Sequence, residues 1–281
     1  MHPEPGTKNQ EPIRRTFKVT LSYDGTDFAG FQRQSNARSV QQVLEEALAP
    51  IEGSAVVVHG AGRTDSGVHA LGQVVSFTLT NPISVGDLQQ ALNATFNATA
   101  AADVRAISVE LAPDNFNARF AARAKLYRYR IINADLMSPF ERRFAWHIQR
   151  PLDVAPMRDA ANALIGEHDF AAFQAAGGDV RTSVRRVTLS EWSESDPSTP
   201  DARSGQAGRL LTYEIAGNGF LKYMVRSIVG TLVEIGHGRR AVGSVEELLA
   251  SGERSKAGQT APPHGLYLVR VDYDTAAPVS F

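Results

Sequence analysis

The chain has 281 residues, 43% hydrophobic and 21% charged, proportions of a globular protein that exclude disorder along its whole length. It has no cysteine, so disulfides, thiolate metal sites and cysteine nucleophiles are excluded. A net charge of −1 gives no overall attraction for a polyanion.

No apolar run approaches the roughly 20 residues of a membrane helix. Met1-His2-Pro3-Glu4-Pro5 has neither the basic head nor the apolar stretch of an export signal, so a soluble cytoplasmic protein is expected. The length suggests two domains or two halves of one. Residues 1–14 are polar and contain proline, and read as a loose tail. Phe17, Val19, Leu21 and Tyr23 alternate with polar residues, the mark of a half-buried strand. Ser39 with Gln42 makes a capping box for a helix whose apolar stripe is Val40, Val43, Leu44, Ala47 and Leu48, with Pro50 as its expected stop. A short strand over Val56 to His59 runs into a glycine-rich loop, and Val75, Phe77 and Leu79 alternate in the next strand. Ser84 and Asp87 open a short helix with Leu88, Ala91 and Leu92, and a strand from Val104 to Leu111 closes the first half.

The second half repeats this order. A strand over Lys125 to Ile132 puts Tyr127, Tyr129 and Ile131 on one face and Leu126, Arg128 and Arg130 on the other. A helix follows from Asp153 to Ile165, with Gly166 as its terminator, then strands over Arg185 to Trp192 and Arg209 to Ala216. Ser193 to Gly208, nearly devoid of apolar residues, reads as a hairpin loop. An apolar helix from Phe220 to Ile235 ends at Gly236, Ser244 with Glu247 caps a short extra helix, and Leu266 to Tyr273 is the last strand. Each half therefore reads β-α-β-β-α-β, the split βαβ order of ferredoxin-like domains. The expected fold is α+β, with residues 15–115 and 116–281 as two ferredoxin-like halves. Their antiparallel sheets flank a central cleft, each carrying helices on one face and leaving the other open.

Charge is unevenly spread. Between Arg119 and Arg150 eight basic residues (Arg119, Arg123, Lys125, Arg128, Arg130, Arg142, Arg143 and Arg150) face only Asp135 and Glu141. Such a strip can draw a polyanion to one side of the molecule, or can be an ordinary solvated surface.

The densest unusual stretch is His59-Gly60-Ala61-Gly62-Arg63-Thr64-Asp65-Ser66-Gly67-Val68-His69-Ala70-Leu71-Gly72-Gln73. It is not a dinucleotide fingerprint, which would need glycine where Asp65 stands, nor a Walker loop, which would need lysine where Val68 stands. His59 and His69 lack the spacing of a common zinc motif, and no metal is expected. What remains is a carboxylate beside an arginine on a loop between strands. An arginine near Asp65 favours its ionised form, and an ionised carboxylate in a sheltered site can serve as nucleophile or general base. A turn-capping aspartate tied down by Arg63 is the plain structural alternative.

The run Gly62-Arg63-Thr64-Asp65-Ser66-Gly67-Val68-His69-Ala70 closely resembles the active-site loop of the tRNA pseudouridine synthase A family. Four more stretches resemble that family in order: Tyr23 to Gln32, Lys125-Leu126-Tyr127-Arg128-Tyr129, Met224 to Gly230, and Gly265-Leu266-Tyr267-Leu268. Phe31 stands where many relatives have tryptophan. The resemblance implies that Asp65 is the catalytic aspartate, that Tyr127 stacks on the target uracil and serves as a base, and that Arg226 pairs with the aspartate. It implies that Arg63 helps displace the target base. It further implies isomerisation of uridines 38, 39 and 40 of the tRNA anticodon arm by a homodimer without metal or cofactor. Independently of the family, Arg226 sits in an apolar helix where an unpaired charge would be costly, so a carboxylate partner is expected, with Asp65 preferred to Glu234. A non-catalytic RNA-binding module or tRNA chaperone on the same fold is the rival reading. A phosphate-ester enzyme using the glycine-rich loop is a weaker one.

Overall fold

The alternation of Phe17, Val19, Leu21 and Tyr23 builds the first strand, β1 (Arg15–Tyr23), whose four apolar side chains are buried. This is a computed structural model in which residues 13–99, 101–177, 181–196 and 208–274 are described. Most of the expected N-terminal tail lies outside these residues. The Ser39 hydroxyl caps helix α1 (Val40–Glu52) by accepting from the Gln42 N–H. Leu44 and Leu48 of this helix are fully buried, each burial contributing about 1.5–3 kcal/mol. Pro50 does not stop α1, because it falls in the last turn and forfeits one hydrogen bond there. Gly53, at φ 75°, ends the helix and donates to the Ala49 carbonyl.

Next come β2 (His59–Gly60), β3 (His69–Leu79), α2 (Val85–Ala98) and β4 (Val104–Ala112). The Ser84 cap forms as its sequence suggests, but α2 is a full helix, with Phe96 extending the stripe of Leu88 and Leu92. The second half contains β5 (Ala122–Asn133), β6 (Trp146–Ile148), α3 (Val154–Asn162), β7 (Gly166–Asp169), β8 (Val184–Ser195) and β9 (Arg209–Gly217). It is completed by α4 (Met224–Gly236), α5 (Ser244–Ser251) and β10 (Leu266–Tyr273). Gly166 opens β7 rather than capping α3, and Ser193 to Ser195 extend β8. Residues 197–207 of the expected hairpin loop lie outside the described residues. Residues 220–223 are not helical, because Tyr223 adopts the left-handed conformation at φ 64° and α4 starts after it. Ser244 is the first residue of α5, not its cap, and its hydroxyl bonds the Ala241 carbonyl.

The strands form one sheet in the order β4-β1-β3-β10-β5-β9-β8-β7, with β2 beside β3 and β6 beside β5. Two separate antiparallel sheets are therefore not what forms. The halves join through a short parallel pairing, Tyr267 with His69 and Leu268 with Ala70, while β1–β3, β5–β9 and β5–β10 run antiparallel. One buried apolar cluster runs through both halves, from Phe17 and Leu44 to Tyr213, Met224 and Ile228. Nor is the second face fully open. Val74 of β3 packs with Ala61 and Ala118, and Phe116 and Tyr273 close over them. The Ala118 N–H donates to the Ser76 hydroxyl, holding the β4–β5 connection across the sheet. No helix among the described residues is long and apolar enough to cross a membrane.

Candidate active site

The loop from Gly62 to Val68 leads into β3 and is braced by the segment that follows β1. The Ser66 hydroxyl and the Gly67 N–H both donate to the Phe28 carbonyl, and the Phe31 N–H donates to the Thr64 carbonyl. Two glycines make this approach possible. A Cβ on Gly25 would sit 2.0 Å from the Val68 oxygen, and one on Gly30, at φ 103°, would sit 2.7 Å from the Thr64 oxygen. The Tyr23 and Thr64 hydroxyls lie 2.8 Å apart, and burial pushes the Tyr23 phenol up to about 12. His69 is spent on structure. Its Nδ1 accepts the Gly25 N–H, and its Nε2 lies 2.9 Å from the Arg143 carbonyl and 3.2 Å from that of His264. Burial holds its pKa below the usual imidazole range, against the pull of Asp24.

Asp65 meets Arg226 across 161 positions of sequence, with Nη1 3.4 Å from Oδ2. Arg226 is oriented by two further contacts: its Nε donates to the Ala261 carbonyl at 2.7 Å, and its guanidinium lies 4.6 Å from the centre of the Tyr223 ring. Glu234, the other candidate partner, is instead engaged by Arg240 and the Gln259 N–H. The neighbouring Arg63 does not fill this role. Its side chain is exposed and makes no hydrogen bond or ion pair among the described residues. Nor is Asp65 simply held ionised. Burial raises its pKa and outweighs the lowering by Arg226 and, more weakly, by Lys222.

Tyr127 lies on β5 with its ring edge-on to Phe220, centroids 5.0 Å apart. Burial, with Tyr23 and Asp65 nearby, raises the pKa of its phenol. The hydroxyl is therefore protonated at neutral pH, and Asp65 is near enough to influence it. The structure thus brings Asp65, Arg226 and Tyr127 together and leaves Arg63 at the rim. Three neighbours escape a reading of the sequence: Lys222, the left-handed Tyr223, and Lys125, whose side chain lies against Gly62. Only Lys125 left a signal, as part of the basic strip.

That strip does not form one basic face. Arg123 pairs with Asp274, Arg128 with Glu214, Arg130 with Glu141 and Arg143 with Asp27. The strand's alternation sends its cations to both sides, where they meet carboxylates, most of them from outside the strip.

A carboxylate in a partly buried site, paired with an arginine and close to the buried Tyr127, can act on an electrophilic carbon and pass a proton nearby. The model of the tRNA pseudouridine synthase family matches residues 20–120 and 160–274. The chain is 42% identical over 259 residues to tRNA pseudouridine synthase A of Streptococcus pneumoniae strain P1031, covering 92% of this chain and 98% of that one. It is 41% identical, with the same coverage, to the protein of that name from strain 70585. The chain belongs to the tRNA pseudouridine synthase family, a family of isomerases. A solved structure of an unknown protein from Galdieria sulphuraria covers 85% of the chain at 11% identity with a TM-score of 0.23, too remote to carry an argument.

Proposed function

We propose that this protein converts uridine to pseudouridine at positions 38, 39 and 40 of the tRNA anticodon arm, with Asp65 as the nucleophile. The N1–C1′ bond breaks, a C5–C1′ bond forms, the C5 proton leaves and N1 gains one. The reaction is redox-neutral and calls for neither metal nor cofactor. The observation that carries this reading is the pairing of Asp65 with Arg226 beside Tyr127, with each residue drawn from a segment that resembles the family. A uridine in a stem must leave its stack to reach Asp65. Tyr127 supplies a face for the flipped base, a contact worth about 1–3 kcal/mol, and Arg63, exposed on the loop of Asp65, fills the vacated space. Each half is read as a ferredoxin-like unit, residues 15–115 and 116–281. The strand orders β4-β1-β3 with β2 alongside, and β10-β5-β9-β8, support this. Tyr127 and Arg226 come from the second half and Asp65 from the first, so the site lies where the halves meet. A cytoplasmic homodimer is part of the same reading, and its mass in solution tests the dimer.

The rival is a tRNA-binding module without catalysis. Tritium at C5 of uridine is released only when C5 is joined to C1′, so release from labelled tRNA separates the two. Asp65→Asn should abolish release while leaving tRNA affinity within a few-fold. Turnover by that variant at a substantial fraction of the wild-type rate would remove Asp65 from the role of nucleophile.

A further inference from the structure

Lys125 differs from the other cations of its strand. Arg123, Arg128 and Arg130 each meet a carboxylate, at 2.6, 2.7 and 3.2 Å. Lys125 has no hydrogen-bond or ion-pair partner among the described residues, although it is half-buried. It lies two residues before Tyr127, on the same side of β5. A Cβ on Gly62 would sit 3.1 Å from its Cε and 3.8 Å from its Nζ, so the ammonium is held beside the loop that carries Arg63 and Asp65.

Across the sheet Lys125 pairs in register with Gly217, and two residues further on the chain bares its backbone again at Gly219. A Cβ there would sit 3.4 Å from the Arg185 Nε. Among the described residues Arg185 donates only to the Thr182 and Val184 carbonyls, and the side chain of the exposed Arg119 meets only the Phe120 ring, 5.9 Å away. Both arginines are near enough to depress the Lys125 pKa, after burial as the larger cause. Three cations with no carboxylate among them in the described residues, two of them lying over glycine backbone, are mutually repulsive until an anion enters. The group that suits them is a tetrahedral oxyanion with oxygens on several sides.

We propose that Lys125, Arg119 and Arg185 form a phosphate site that receives a phosphodiester of the RNA strand next to the nucleotide presented to Asp65. Lys125 is the inner point charge and the two arginines close the outer side. The site fixes the strand's position without reading its sequence. This rests on the RNA-modifying reading above and adds the residues that hold the substrate backbone.

The test measures tRNA affinity across a salt series for wild type, Lys125→Met, Lys125→Arg and Arg119→Gln. Lys125→Met keeps the stem that covers Gly62 and removes only the charge. Arg119→Gln lies on the surface and leaves the fold alone. Each neutralising change should weaken binding about tenfold and flatten the salt slope by about 0.7–0.9. Lys125→Arg should keep the wild-type slope. A Lys125→Met variant whose slope parallels wild type would overturn the site and make the lysine a packing residue, as would an Arg119→Gln variant with unchanged affinity. Tritium release by the wild-type enzyme is measured alongside. If tRNA is bound but no tritium is released, the functional reading fails, and the slopes still decide the phosphate site.

Discussion

Substituting Gly25 by alanine probes the brace behind the loop that carries Asp65. The new Cβ would lie 2.0 Å from the Val68 oxygen and 2.5 Å from the Val68 carbon, where ordinary contact begins at 3.4 Å. Both obstacles are backbone atoms, so the loop must retreat by over an ångström. The Val68 N–H donates to the Asp65 carbonyl, and the displacement therefore reaches the aspartate. A misplacement of about 1 Å costs on the order of 10²-fold in rate, and overpacking of this kind costs about 1–3 kcal/mol of stability. Gly86→Ala is the control. Gly86 lies in α2 with nothing within 4 Å of its Cβ position. There alanine should stabilise by about 0.5–1 kcal/mol and leave the rate alone. Single-turnover tritium release and thermal unfolding read both effects. A Gly25→Ala enzyme reacting within twofold of wild type would show that this contact does not set the position of Asp65.

Arg226→Ala removes the charge and the hydrogen bond that lower the Asp65 pKa, leaving burial unopposed. With Asp65 in its proposed role as the reacting carboxylate, activity is lost as pH falls through that pKa, so the acid limb of the pH–rate profile should move to higher pH. Arg226→Lys should restore part of the shift, as a point charge without the two-pronged geometry; a profile for Arg226→Ala that superimposes on wild type would break the proposed pair. Tyr127→Phe keeps the ring against Phe220, and the lost hydroxyl has no hydrogen-bond partner among the described residues. Stability should change by less than about 1 kcal/mol. The rate should fall about 10²–10⁴-fold if the hydroxyl moves a proton, whereas a rate near wild type would reduce Tyr127 to a stacking surface.

Elements with a period or a cap were legible in the sequence: β1 by alternation, and α1 and α2 by Ser39 and Ser84. The strands β2, β6 and β7 were not, or only as a neighbour's fringe, because two to four residues carry no period. The apolar run from Phe220 fits a helix along its whole length, yet Tyr223 is left-handed and α4 starts only after it. The seam that makes one sheet of two rests on two residue pairs, His69 with Tyr267 and Ala70 with Leu268, which leave no pattern. At the site, a charge inside an apolar helix called for a carboxylate partner, and the family resemblance pointed to Asp65 rather than Glu234. The surplus of burial over that charge at Asp65 could not be anticipated, since desolvation depends on everything packed around the group. The basic strip misled for a related reason: three of its neutralising carboxylates, Asp27, Glu214 and Asp274, come from elsewhere in the chain.

The position of β10 governs when the site exists at all. Asp65 stands just before β3 and Tyr127 stands on β5, and in the sheet β10 lies between those two strands. A growing chain therefore makes its aspartate, tyrosine and second arginine well before the strand that unites them. Until Leu266 to Leu268 are synthesised and inserted, the first half has no register with the second. Chemistry of this kind should not appear gradually as the chain lengthens. It should begin in one step, when the final strand closes the gap.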